Sequence, residues 1–475
     1  MKPSCFTYAI ALLLVLWCQP FTMSQQMATQ SPSVHYQVLH TFQGGADGAL
    51  PSSLIGDAAG NLYGTAYEGG NSDCTYGPAG GCGVVFKLDK TGKESVLYRF
   101  KGGTDGAHPA TGLLRDAAGN LYGTAEHGGE LSCGSGGGLG CGVVFKLDTA
   151  SRETVLYSFS GGADGAFPVG PLLRDEAGNL YGAAPLGGNL GCNVPFGCGV
   201  VFKVDTTGKQ TVLHAFNGGD GQNPQAGLIA DSSGNLYGTT FLGGDPVCLC
   251  GLVFKLDKSG KETVLHNFKA FHGGRDGAYP YADLLLDEQG NLYSTTYGGG
   301  FFDNGTVFKL DKAGKETVLY GFKSKSDGAA PYFAVIRDGT GNLYGTTFGG
   351  GPLGCGGPGC GAVFKLDASG KETTLHHFTG EADGGNPSTA LVRDSVGNLY
   401  GATYTGAGTG CGGLGCGVVF KITPSPQRKQ VHQERLVGGD QNFHTVVVPL
   451  NESGVTGTPS SIAKPSKSST LTSST

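Results

Sequence analysis

The sequence predicts an all-β fold, a seven-bladed β-propeller in which an N-terminal strand completes the last blade. Three observations carry this. A hairpin unit, VFKLDKTGKESVLYRF at residues 85–100, returns in close copies along nearly the whole 475-residue chain. The tetrapeptide GNLY marks seven units, at residues 60–63, 119–122, 178–181, 234–237, 290–293, 341–344 and 397–400. The ends of the array are complementary, with a strand too many at one and a strand too few at the other. Periodicity of this kind outranks any local motif.

In chain order, Met1-Lys2 precedes an apolar stretch from about residue 9 to 17, and the chain turns polar at Thr22-Met23-Ser24-Gln25. That is the pattern of a secretory signal, so residues 1–24 are read as a signal peptide cleaved after Ser24, and 25–36 as a linker. The apolar stretch falls far short of the ~20 residues that span a bilayer, so no transmembrane segment is expected in the mature chain. Cys18 follows Trp17, where lipoprotein processing wants a small residue, so lipidation is not expected.

Residues 37–42, QVLHTF, form the extra outer strand. Each repeat then reads as a short strand such as 112–115, a turn at 116–119, a strand at 120–125, a Gly/Cys loop, the VVFKL strand and the VLYSF strand. Within the hairpin, β-branched and aromatic runs flank Asp89-Lys90-Thr91-Gly92-Lys93, where Gly supplies the positive φ of a tight loop. Four antiparallel strands in 51 to 59 residues make a propeller blade. The last unit stops after Val418-Val419-Phe420-Lys421, and pairing it with the N-terminal strand closes the ring over residues 37–423 and protects its edges. The competing architecture, an open β-solenoid, gives no reason for the exchange of a strand between the ends.

Composition agrees. The 88 glycines, 15% charged residues and 39% hydrophobic residues suit short strands and tight turns better than helices. A net charge of -6 argues against nucleic acid or an anionic membrane as partner. Beyond the leader, twelve cysteines fall into couples within the same loop of their repeats: Cys74 with Cys82, Cys133 with Cys141, Cys192 with Cys198, Cys248 with Cys250, Cys355 with Cys360, and Cys411 with Cys416. The fifth repeat, GGGFFDNGTVFKL, lacks both members at once. Paired loss predicts disulfides, hence an oxidising compartment. The Cys248/Cys250 link would be tight. Zinc is the competing reading, opposed by export and by the lack of third and fourth ligands nearby.

The GNLYGTTYGGG-type strands followed by GVVFKLD and GKETVLY, over about residues 37 to 422, resemble the GloVer tandem repeats of exported bacterial choice-of-anchor proteins. The resemblance implies an exported repeat protein, often with a C-terminal sorting signal. Here residues 424–475 depart from that pattern: the tail is rich in Ser, Thr and Pro, its only apolar run is Val446-Val447-Val448, and it reads as disordered.

Strand parity puts the Asp-Gly-x-x-Pro loops and the cysteine loops on one face, and the lysine-rich turns on the other. Ligands are expected on the loop face. Its repeated acids, Asp47, Asp105, Asp164, Asp220, Asp276, Asp327 and Asp383, suggest calcium, but one Asp per loop is thin for an ion wanting six to eight oxygens, and a turn-capping Asp explains every copy. Just beyond GNLY, five blades place an aromatic, Tyr67, Phe241, Tyr297, Phe348 and Tyr404, where Glu126 and Pro185 occupy the other two positions. These rings either stack on sugars or plug the ring. His108, Glu126 and His127 all belong to the second blade's loop face and are the candidate base and partner of any catalysis. No Ser/His/Asp order, HExxH motif or phosphate-cradling loop stands out, and no metal or cofactor is expected. The leading expectation is a monomeric, non-enzymatic exported propeller that binds or scaffolds an envelope or extracellular glycan or protein. A propeller lyase or hydrolase acting on polysaccharide is the alternative.

Overall fold

The computed structural model describes residues 34–424, apart from 72–73, 75–79, 111, 132, 134–138, 270–273, 325, 352–354, 356–358 and 409. The expected signal peptide, the linker as far as residue 33 and the tail beyond Pro424 lie outside the described residues. The described chain is seven small antiparallel sheets in a ring, a seven-bladed β-propeller. Its only helical turn among the described residues is the 3-10 turn Cys411–Gly413.

Blade one shows the plan. From the axis outward its strands are Ala49–Gly56, Leu62–Glu68, Val84–Leu88 and Glu94–Arg99. The VVFKL strand is buried at every position but its lysine, and the outer strand is half-buried except at Ser95 and Arg99. The core therefore lies between blades. Inner strands of later blades are shorter than the pattern suggested: regular pairing in blade two covers only Leu114–Arg115. A Cβ at Gly112 would stand 2.9 Å from Pro171 of the next blade, so the chains pack closely near the axis.

The seventh blade joins Val392–Arg393, Leu399–Thr405 and Val418–Pro424 to the N-terminal strand Val34–Thr41, which pairs antiparallel with Val418–Pro424. That strand begins three residues before Gln37, because Val34 and Tyr36 pair with Pro424 and Ile422. The strand exchange expected from the sequence thus closes the ring.

The repeat marker has a physical cause. In every blade the turn acid, Asp57 in the first and Asp231 in the fourth, accepts from the Asn side chain and the Tyr hydroxyl of GNLY, at 2.7 Å from Asn235 and 2.9 Å from Tyr237 in blade four. Burial opposes ionisation of Asp231, but those donors outweigh it and hold its carboxyl below the usual range. The cross-strand lysine of VFKL lies over each tyrosine ring, 5.7 Å from the centroid for Lys255 on Tyr237.

The loop proline is explained by the next blade. Gly83 has φ +89°, and a Cβ there would meet Pro109 Cδ at 2.4 Å; the same glycine-on-proline contact recurs at all seven junctions, ending with Gly417 on Pro51. Only glycine lets the blades approach this closely.

Candidate functional site

The residue before each loop proline carries a left-handed backbone: Leu50, His108, Phe167, Asn223, Tyr279, Ala330 and Asn386 have φ between 53° and 60°. Seven non-glycine residues in this region store strain unless neighbours over-determine it. Here they do. His108 N–H donates to Cys82 O at 2.8 Å and Tyr279 N–H to Cys250 O at 2.7 Å, and the second cysteine of a loop plays this part at every junction but one, where Asn304 O accepts from Ala330. The disulfide loops therefore pin the next blade's loop. In turn, the loop carbonyl accepts from the residue beyond GNLY, as in Glu126 to His108 at 3.1 Å and Tyr297 to Tyr279 at 3.0 Å. A rigid ring of positions faces the axis.

The structure pairs all six cysteine couples, with Cα separations of 5.1 to 5.7 Å. The loop acids cap their turns: Asp47 accepts from Gln43 N–H at 2.9 Å, and Asp105, Asp164, Asp220, Asp276, Asp327 and Asp383 do likewise.

At the axis the loop face opens into a cavity of about 680 Å³ to which all seven blades contribute. One side is aromatic. Tyr281, Tyr332 and Phe348 line it, with Tyr332 meeting Tyr281 at 5.2 Å between centroids and Phe348 at 5.3 Å, while Phe241, 5.8 Å from Tyr281, and Tyr297, 4.8 Å from Tyr332, pack against these rings without lining the cavity. Tyr404, which also lines the cavity, is 38% exposed despite its size, so this ring remains available rather than sealed. The other side is polar. Tyr67 donates to Glu126 Oε2 at 2.9 Å, and burial, then the Glu126 carboxylate, raise its hydroxyl pKa. Burial and the same carboxylate raise that of Tyr281 as well.

Deeper in the cavity stands Asp283, which accepts from Gly227 N–H at 2.6 Å. Burial pushes its carboxyl pKa up. Four residues before each turn acid, the other blades carry Ser53, Gly112, Pro171, Gly227, Ala334 and Ala390, so Asp283 is the one acid at this position. The sequence reading missed it, together with Tyr281 and Tyr332. Aligning the seven repeats on their turn acids would have exposed all three as departures.

The second-blade candidates do meet. Glu126 Oε1 lies 4.0 Å from His127 Nε2, and the His108 and His127 rings pack edge to face at 5.3 Å. His108 is 4% exposed and stacked on Tyr67 at 4.7 Å. Burial, then His127, lower its pKa to about 4, so it is neutral at physiological pH and sits behind the wall rather than in the cavity. Glu126 lines the cavity itself.

Among solved structures, virginiamycin B lyase from Staphylococcus aureus is similar at 12% identity and a TM-score of 0.50, covering 82% of this chain and 99% of that one. A catalytically inactive variant of that lyase, solved with quinupristin, gives 0.52 at the same identity and coverage. The extracellular domain of a protein assigned as a hybrid two component system from B. thetaiotaomicron gives 0.50 at 15% identity, over 83% of this chain and 41% of that one. At such identities the likeness concerns the fold alone. A search of curated proteins found no match. The Gloeobacter/Verrucomicrobia repeat pattern matches residues 26–245 and 191–413, so nearly the whole propeller is built from it, and the chain belongs to that repeat family.

Proposed function

We propose that this protein is an exported, monomeric binding module whose loop-face cavity holds a saccharide unit of an envelope or extracellular glycan. The aromatic arc of Tyr281, Tyr332 and Phe348, sharing one cavity with Glu126 and Tyr67, carries the reading. Sugar rings present apolar C–H faces and hydroxyl edges, and such a pocket offers rings for the former and acceptors for the latter. Export is supported by the paired cysteines and by the leader-like start.

Catalysis on a polysaccharide is the second reading, favoured by two carboxyls, Glu126 and Asp283, in the same cavity. One experiment separates the two. The oxidised protein is co-sedimented with insoluble polysaccharides and cell-wall preparations, and the supernatant is assayed for released sugar. Retention that falls at least tenfold in Tyr332→Ala and Tyr281→Ala, without release, is the expected result. Sugar release abolished by Glu126→Gln or Asp283→Asn would establish the enzyme instead, and neither retention nor release with any glycan would sink both readings.

A further inference from the structure

Each blade junction assembles the same three positions: a residue of one blade's outer strand, the loop acid, and a residue opening the next blade's outer strand. Where the first is tyrosine, its hydroxyl donates to the acid, as Tyr98 to Asp105 at 2.8 Å, Tyr157 to Asp164 at 2.9 Å and Tyr320 to Asp327 at 2.6 Å. Three junctions instead place histidine first and glutamate last. These are His40/Asp47/Glu94 between blades seven and one, His214/Asp220/Glu262 between three and four, and His266/Asp276/Glu316 between four and five.

In each set the nitrogen and carboxylate oxygens all lie within 4.8 Å of one another. His40 Nε2 is 3.9 Å from Asp47 Oδ2 and 4.0 Å from Glu94 Oε2, while His214 and His266 stand 3.3 Å from Asp220 and Asp276. Ligands held about 2.1 Å from a tetrahedral ion stand roughly 3.4 Å apart, so the His214 and His266 contacts to their aspartates already fit and the wider pairs must close by between about 0.5 and 1.4 Å. His40 Nε2 and His214 Nε2 are buried without a hydrogen-bond partner, as are Glu94 Oε1 and Glu262 Oε1. Buried polar atoms seldom remain so, and a bound ion is one way to satisfy them. Glu153 Oε1 shares that state at a tyrosine junction, so the unpartnered histidine nitrogen is what sets the first two junctions apart, while in the third His266 Nε2 already bonds Asp276 Oδ1 at 3.3 Å and Glu316 Oε1 is the unpartnered atom.

We propose that these three junctions bind a divalent first-row transition ion such as Zn²⁺, each through one imidazole nitrogen and two carboxylates, with water completing the shell. One nitrogen with two carboxylates is a donor set such ions accept. Each ion would staple the outer strands of adjacent blades, and the first would pin the ring-closing strand Val34–Thr41. The remaining junction, His376/Asp383, has Tyr36 rather than glutamate, with its ring stacked on His376 at 4.0 Å, and is expected to bind none.

Tyrosine is the residue three other junctions use, so His→Tyr substitution is compatible with the repeat. Tag-free, oxidised protein stripped with EDTA is equilibrated with Zn²⁺, desalted and assayed by elemental mass spectrometry, with calorimetric melting in parallel. Three equivalents are expected, falling by one in each of His40→Tyr, His214→Tyr and His266→Tyr, and unchanged in His376→Tyr. Zn²⁺ should raise the melting temperature of the wild type, whereas the triple His→Tyr variant should melt alike with and without it. A triple Glu94→Gln/Glu262→Gln/Glu316→Gln variant, which leaves the histidines in place, should lose the ions too. Wild type retaining less than one equivalent, or a triple variant retaining as much as wild type, overturns the proposal. In that case a shared proton between the paired carboxyls is what satisfies these junctions.

Discussion

At the scale of single residues, the carboxyls at the blade junctions set how stability responds to pH. Burial, then the Asp105 carboxylate, push the Glu153 carboxyl up to about 7, with Lys101 the nearby cation opposing. Glu94 and Glu262 are likewise raised to about 7 and Glu316 to about 8, each chiefly by burial. A folded pKa above the unfolded one gives stability that is complete below the unfolded value near 4.5 and is lost as pH rises through 7 to 8. The turn acids have the opposite sign but titrate below this window, and His108, lowered to about 4, opposes the fall only up to its unfolded value of 6.5, against four raised carboxyls. The melting temperature in EDTA is therefore expected to fall between pH 5 and pH 8, and Glu153→Gln to raise it by about 2 °C at pH 8 while leaving pH 5 unchanged. Calorimetry at the two pH values decides, and a variant that melts equally below wild type at both would show that Glu153 matters only for packing. Of the five aromatics legible beyond the fixed marker, Tyr67, Phe348 and Tyr404 line the cavity, whereas Phe241 and Tyr297 share their register without lining it. Tyr281, Tyr332 and Asp283 were not legible in the sequence, because each departs from its repeat and only a register across all seven copies reveals it. The histidine junctions were hidden for a related reason: their three members are brought together from two blades and a loop.

At the scale of elements, the hairpin, the blade and the strand exchange were readable because every blade repeats the same local rules. The length of the inner strands was not, since regular pairing stops at two residues in blades two to seven whatever stands before them, Gly112, Pro171 or Ala334. The closing strand is the element whose role is most exposed to test. Tyr36 stacks on His376 at 4.0 Å and on Phe420 at 5.7 Å, and its hydroxyl donates to Asp383 O at 2.5 Å, so the strand fastens both to its own blade and to blade six. A chain beginning at Phe42 would leave Val418–Pro424 as an unpaired edge, a template for association. It is expected to elute as oligomers in size-exclusion chromatography and to return to monomer when a peptide of residues 34–42 is added. A truncated chain that stays monomeric with the wild-type melting temperature would make the closing strand dispensable.

At the scale of the whole molecule, the ring is held by seven equivalent junctions, each centred on two fully buried phenylalanines. Phe216, just beyond the outer strand of blade three, meets Phe254 of blade four edge to face at 5.2 Å, and the same geometry recurs from Phe42/Phe86 through Phe378/Phe420 at 5.1 to 5.2 Å. Edge-to-face pairing adds to the area each ring buries, so Phe254→Ala should cost roughly 3 to 5 kcal/mol. How that loss appears depends on closure. In an open solenoid a weakened interface lets one side unfold before the other, and denaturation becomes biphasic. In a closed ring both neighbours of the weakened junction remain tied through the other six, and blade three cannot leave without breaking a second intact junction. A single urea transition is expected for Phe254→Ala, with its midpoint lowered and its slope that of wild type, followed by both fluorescence and circular dichroism. Two separated transitions would mean that the Val34–Thr41 strand does not hold the ring shut in solution.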